Sequence, residues 1–183
     1  MPSDDEDDQR LMVRVADGDA SAFRALVTRH TASLLAHATR MLRNPSEAEE
    51  VVQETYVRLW KSAPSYRPEA KLRTFLYGIA HNLCIDRLRA RRRHDPDALE
   101  ALASNERTSG PLHELELRAR VQQELATLPA RQRAALSLVH FEELTNIEAA
   151  KLLDVSVDAL ESLLSRARRT LRERLANLSE RGS

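Results

Sequence analysis

Glycine is scarce in this chain of 183 residues, which has four, at positions 18, 78, 110 and 182. Neither a phosphate-cradling loop nor a dinucleotide-binding fingerprint can be written with so few, and hairpin turns are short of their usual residue. The lone cysteine, Cys84, excludes an internal disulfide, and among apolar neighbours it reads as a small, inert core residue. No apolar run approaches the roughly 20 residues needed to span a bilayer. The start MPSDDEDD is acidic where a signal peptide is basic. A cytoplasmic protein without membrane insertion is therefore expected. The six histidines make no HExxH pattern, none has a glutamate three residues before it, and His30 and His37 stand two turns apart. No nucleophile elbow surrounds a serine. No catalytic residue, metal or cofactor is expected.

A surplus of either charge is also lacking, since 28 basic residues balance 28 acidic ones. The charges are segregated, however. Asp4 to Asp8 load the start, and Asp95, Asp97, Glu100, Glu106, Glu114 and Glu116 load the middle. Arginines gather at Arg87, Arg89, Arg91, Arg92 and Arg93, and again at Arg166, Arg168, Arg169, Arg172 and Arg174. Two basic patches can grip a polyanion locally although the sum is neutral. Either patch alone could be a solvated helix end with cations near its C-terminal dipole.

What the chain has in abundance is alanine, leucine, arginine and glutamate, with apolar residues spaced by three and four. This predicts an all-α fold of two small helical domains, an N-terminal helical bundle and a C-terminal helix-turn-helix four-helix domain. The expected divisions are an acidic disordered tail at 1–7, the bundle at 8–94, a flexible acidic linker at 95–113 and the second domain at 114–178. In the bundle, a short helix from about Asp8 ends at Gly18, and Asp19 opens a longer one. Asn44-Pro45-Ser46-Glu47 starts a third, with an N-cap and a proline at the first helical position. After a loop with two prolines, a long helix runs from about Leu72 to Arg92. From Asp95 to His113 the periodicity fails.

The clearest motif is TNIEAAKLLDVSVDALESLLSRARRTLRER, Thr145 to Arg174. Thr145 and Glu148 spell a capping box, and Ile147, Ala150, Leu152 and Leu153 share one side of the helix they start. Asp154-Val155-Ser156 breaks it, with Ser156 placed to cap the next. Leu160, Leu164, Ala167, Leu171, Leu175 and Leu178 then recur along one face of that second helix. Its polar face starts at its N-terminus, as insertion in a DNA major groove requires.

Two helices of the first half carry polar stripes. Leu72, Leu76, Ile79 and Leu83 are expected to point inward on the helix from Leu72, while Gly78, Asn82, Asp86, Arg89 and Arg93 share another face. An amide for base edges, arginines for phosphate and a glycine permitting close approach suit nucleic acid. The alternative is an ordinary bundle helix in which Gly78 lets two helices pack closely. Tyr66, Arg73 and Phe75 interleave aromatic and basic groups beside the proline loop, which suits an unstacked single strand. The helix from Asn44 has an acidic face, Glu47, Glu49, Glu50, Gln53 and Glu54, which is either a solvated surface or a protein-docking one.

EAEEVVQETYVRLW (47–60), LYGIAHNLCIDRLR (76–89) and the helix-turn-helix, in this order and spacing, resemble bacterial RNA polymerase sigma factors of the sigma-70 family, extracytoplasmic-function type. The resemblance covers about Leu11 to Leu175. It implies a transcription-initiation factor whose partners are core RNA polymerase and promoter DNA. Glu49, Glu50, Gln53 and Glu54 would dock on the clamp helices of the largest subunit. Arg73, Phe75, Asn82, Asp86, Arg89 and Arg93 would capture the melted −10 strand. Ser162, Ser165, Arg166 and Arg169 would read the −35 element, beside the flap of the second-largest subunit. An anti-sigma factor that covers both domains is implied as a further partner. The chain departs from the family at Gly78 and His81, where an arginine is usual, thinning the −10 contact surface of charge. It departs again at Glu161 and Leu163, where the recognition helix usually carries lysine and arginine. From the residues alone, a helix-turn-helix regulator acting without polymerase, or a protein-interaction adaptor, stays open.

Overall fold

The structure, a computed structural model, describes residues 4–67, 71–94 and 121–180, and the described residues contain no strand. The expected linker at 95–113 and the segment 114–120 lie outside them. The chain divides into two compact units, Met1–Leu88 and Arg89–Ser183. The division falls inside the helix that begins at Leu72.

In the first unit, α1 spans Asp4–Ala16, α2 Ala20–Leu42 and α3 Pro45–Ser62, with a 3₁₀ turn at Ala63–Ser65, and α4, Leu72–His94, starts in this unit and runs across the division. The boundaries follow local chemistry. Gly18 takes φ +84° after α1, a left-handed conformation that glycine adopts without strain. Asp19 then caps α2 by accepting from Ser21 N and Ala22 N. Asn44 caps α3 by accepting from Glu47 N at 3.2 Å, with Pro45 at the first helical position. The acidic start, expected as a disordered tail, is instead helical from Asp4. Acidic groups in a first turn suit the positive end of the helix dipole.

Asp8 explains the anchoring of that helix. Its carboxylate is buried, with Arg29 Nη1 at 2.6 Å from Oδ1 and His30 Nε2 at 2.7 Å from Oδ2. Burial alone would raise its pKa, but hydrogen bonding and attraction from His30, then Arg29, outweigh it and hold the carboxyl below its usual range. Met12 and Val15 bury against the bundle, whose core holds Leu26, Leu34, Ala38, Val51, Leu59, Leu72, Leu76 and Cys84. Cys84 is a fully buried thiol.

In the second unit, residues 121–126 are helical, α5 spans Ala130–Leu136, α6 Asn146–Leu152 and α7 Val157–Glu180. A π-helical stretch, Ser137–Phe141, prolongs α5, and Glu142 N donates to Ser137 O five residues back at 3.0 Å. Leu138, Ala149, Ala150, Leu160, Leu164 and Ala167 form the core. Arg133 is buried and donates to Ala126 O at 2.8 Å.

Candidate nucleic-acid and protein interfaces

α4 has two sides of different character. Leu72, Leu76, Tyr77, Ala80, His81, Leu83 and Cys84 are buried. Asn82, Asp86, Arg89 and Arg93 lie toward solvent and, with Phe75 and Gly78, fall on one face at helical spacing. A β-carbon built on Gly78 meets nothing within 4 Å, so this glycine does not serve close helix packing. Arg73, expected beside the proline loop with Tyr66 and Phe75, stands one residue into α4. It lies on the inward side of the first turn, half-buried, its guanidinium 5.8 Å from the centre of the Tyr77 ring. Ile79, expected inside, is only half-buried because Tyr77, Ala80 and His81 take the inward positions around it.

At the start of α4 the rings of Tyr66 and Phe75 meet edge to face, centroids 5.3 Å apart, and both are half-exposed. Lys71 joins this end and pairs with Asp5 at 2.8 Å. Aromatic faces and a lysine thus sit together at the end of the stripe that Asn82 and the arginines continue.

His81, expected on the contact surface, is buried instead. It lies beside the fully buried His37, ring centroids 6.1 Å apart, and His37 meets Tyr77 edge-on at 5.4 Å. Burial pushes His81 down to about 4. Burial, then His81 and Arg40, push His37 well below the usual imidazole range. The resemblance implies an arginine at this position, and the chain instead buries an imidazole there.

On α3, Glu49, Glu50 and Gln53 line the acidic face, and Glu54 holds Arg58 at 2.9 Å. Glu50 also reaches Arg87 of α4 at 3.2 Å. Two large apolar side chains share this surface, Val57 at 44% exposure and Trp60 at 40%, and neither is among the contact residues that the acidic pattern picks out. Trp60 leans edge-on against Phe23, centroids 5.0 Å apart. A tryptophan at the border of an acidic face is a typical anchor for a protein partner. Its one signal in the sequence is its place at the edge of the inward stripe of Val52, Tyr56 and Leu59.

The helix-turn-helix is locally complete. The Thr145–Glu148 capping box forms in both directions, with Glu148 N donating to Thr145 Oγ1 at 3.2 Å and Thr145 N donating to Glu148 Oε2 at 2.9 Å. Ser156 accepts from Ala159 N at 3.1 Å at the start of α7. Between them Asp154 adopts φ 52°. Ile147 is turned outward, 73% exposed, instead of inward as its spacing suggests. Ala149 and Ala150 set the buried face of α6, and their small size lets α7 come close. Along α7, Leu160, Leu164 and Ala167 are buried while Ser162, Ser165, Arg166 and Arg169 are exposed, so the four expected contact residues lie on the outer side together. Leu163 is half-buried. Glu161 is exposed and accepts from Asn146 Nδ2 at 3.4 Å. Arg168 donates to His140 Nε2 at 2.7 Å, and Arg174 bonds Thr127.

No group of His, Cys, Asp and Glu among the described residues is placed to hold a metal ion, and no helix among them is long and apolar enough to cross a membrane.

Residues 26–94 match the family Sigma-70 region 2, and residues 118–171 match the family Sigma-70, region 4. The ECF RNA polymerase sigma factor SigW of Bacillus subtilis is 32% identical over 185 residues, covering 93% of this chain and 97% of its own. The RNA polymerase sigma-H factor of Pseudomonas aeruginosa is 31% identical, covering 94% and 96%. Among solved structures, CnrH in complex with the cytosolic domain of CnrY superposes with a TM-score of 0.72 at 29% identity, covering 93% of this chain and 98% of CnrH. The sigma factor RpoE in complex with the anti-sigma factor NepR from Bartonella quintana gives 0.71 at 24% identity, covering 84% and 96%, and speaks for the fold.

Proposed function

The chain belongs to the extracytoplasmic-function branch of the sigma-70 family and is a promoter-directing factor of RNA polymerase, and from that premise we propose a division of labour between its two units. The acidic face of α3, with Glu49, Glu50, Gln53 and Glu54 around the apolar anchors Val57 and Trp60, docks on the clamp helices of the largest polymerase subunit. The Tyr66–Phe75 pair and Asn82, Asp86, Arg89 and Arg93 receive the opened −10 strand. Ser162, Ser165, Arg166 and Arg169 enter the −35 major groove, with the flap of the second-largest subunit alongside. The factor works in the cytoplasm, where polymerase is, and by binding rather than catalysis.

The observation that carries this reading is the outer face of α4, where Phe75, its ring against that of Tyr66, leads into an amide and arginines at helical spacing. Unstacking a base costs a few kcal/mol, and stacking on an aromatic side chain returns about 1–3 kcal/mol per base. Capture of an already separated base is thus close to balanced, and phosphate contacts from the arginines decide it. Arg73, half-buried and 5.8 Å from the Tyr77 ring, flanks the start of this face. An anti-sigma factor covering the exposed faces is the remaining partner of this reading, and CnrH bound to the cytosolic domain of CnrY is a precedent for a protein held on this fold.

The test is reconstitution of the full chain with core RNA polymerase from its own source on a library of genomic promoters. Promoter-specific transcripts are expected, reduced at least tenfold by Glu50→Lys at limiting factor. Duplex binding that needs no polymerase, with no specific transcript, would overturn the reading in favour of a free-standing helix-turn-helix regulator.

The anion at Glu161 has a separate, simpler consequence. Glu161→Lys exchanges repulsion for attraction at the phosphate surface. It is expected to raise affinity for unrelated duplexes and to steepen the salt dependence by about one unit for each phosphate newly neutralised. An identical salt titration for both proteins would refute the electrostatic account.

A further inference from the structure

Glu161 stands in the second turn of α7, exposed, in the N-terminal part of the helix whose residues meet base edges when such a motif enters the major groove. Its one hydrogen-bond partner among the described residues is the side-chain amide of Asn146, at the first position of α6, 3.4 Å away. No cation among the described residues pairs with it. The bond is long and uses one oxygen. It orients the carboxylate from across the motif and leaves Oε2 open.

A carboxylate in that place must be repelled by the phosphates unless a donor awaits it in the groove. An ionised carboxylate can only accept. The major groove offers two donors, cytosine N4 and adenine N6. Beside adenine N6 lies the acceptor N7, which repels a second carboxylate oxygen. Cytosine sets no acceptor of its own next to N4 at the groove edge. Ser162 and Ser165, small and neutral, leave the approach open on the same side of the helix.

We propose that Glu161 is a specificity-determining residue that accepts a hydrogen bond from N4 of a cytosine in the −35 element, with Asn146 as the positioning residue that holds its carboxylate. This rests on the reading of the second unit as the −35 binder. It converts a residue that looks like a missing phosphate anchor into a selective one: the charge that weakens binding to every duplex weakens it least where the cytosine stands.

Holoenzyme assembled from the full chain and core polymerase is offered a duplex promoter library randomised across the −35 element, and the retained sequences are read for wild type, Glu161→Gln, Glu161→Ala and Asn146→Ala. Wild type should enrich cytosine at one position by roughly tenfold, the scale of a single good base contact. Glu161→Gln keeps the size and the Asn146 bond but presents a donor and an acceptor, so the preference at that one position should move toward adenine. Glu161→Ala should flatten that position and leave the others as they were. Asn146→Ala should retain cytosine with a preference reduced several-fold. If Glu161→Gln and Glu161→Ala enrich the same bases as wild type at every position, the proposal is overturned, even where overall affinity rises, because a uniform rise marks a residue that acts only through its charge. A wild-type holoenzyme that enriches no −35 sequence at all overturns both this proposal and the reading beneath it. Enrichment with an unmoved pattern overturns this proposal alone.

Discussion

Leu160→Ala is expected to unfold the C-terminal unit and to leave the N-terminal unit standing. Leu160 is fully buried at the meeting of α6 and α7, in a core with Ala149, Ala150, Leu164 and Ala167. Alanines already occupy much of that core and cannot move in to fill the space. Truncating a buried leucine costs about 2–5 kcal/mol, the upper part applying where the site does not collapse. A helical unit of this size has only a few kcal/mol of net stability. The substitution therefore removes most or all of it. Hydrogen exchange should show loss of protection across 130–176 with the protection of 20–62 unchanged. In transcription, dependence on the −35 sequence should disappear while binding of single-stranded −10 DNA persists. A single cooperative transition lowered for the whole chain would contradict the separation of the two units.

Acidification is expected to unfold the other unit first. In the native state His37 and His81 are held neutral by burial, with His81 near 4. In the unfolded chain each titrates near 6.5. Between those values the unfolded chain binds protons that the folded chain refuses, so stability rises with pH across the window. The contribution is fully present above about 6.5 and is lost as pH falls toward 4. For His81 alone the loss amounts to about 3 kcal/mol at 1.36 kcal/mol per pKa unit. Asp8 acts later, because its lowered carboxyl keeps its stabilising charge through this window and loses it only below. Urea unfolding of the N-terminal unit at pH 7 and pH 4.5 should show the loss. His81→Leu, close in volume and without a proton site, should make the dependence in this window shallower, leaving the part due to His37. A variant with the wild-type slope would place the effect elsewhere.

Much of this molecule is legible in its sequence because the decisive signals are local. Asn44-Pro45, Thr145 with Glu148, Ser156 and Gly18 each fix a helix end through bonds to residues two to four away, and each forms as the pattern implies. The outer face of Asn82, Asp86, Arg89 and Arg93 follows from helical spacing alone. What escapes depends on partners distant in the chain. The burial of Asp8 needs Arg29 and His30, over twenty residues on, and it turns an acidic tail into an ordered helix. His81 goes inward because His37 and Tyr77 make a site for it, so its position cannot be told from the neighbouring surface residues. Ile147 faces out because two alanines set the packing distance, a choice made by α7. The π-helical stretch after α5 inserts its extra residue without any glycine or proline to announce it.

Two small units on one chain also govern how the factor lets go. Under the proposed division of labour each unit holds its own stretch of promoter with a modest grip. While one is detached, the other keeps it near its site at a local concentration that reaches about millimolar for short tethers. Re-engagement then outpaces departure, and residence on the promoter is long although neither grip is strong. Departure requires both to be open at once. Whatever disables one unit turns a long stay into a brief one while leaving every bond of the other in place.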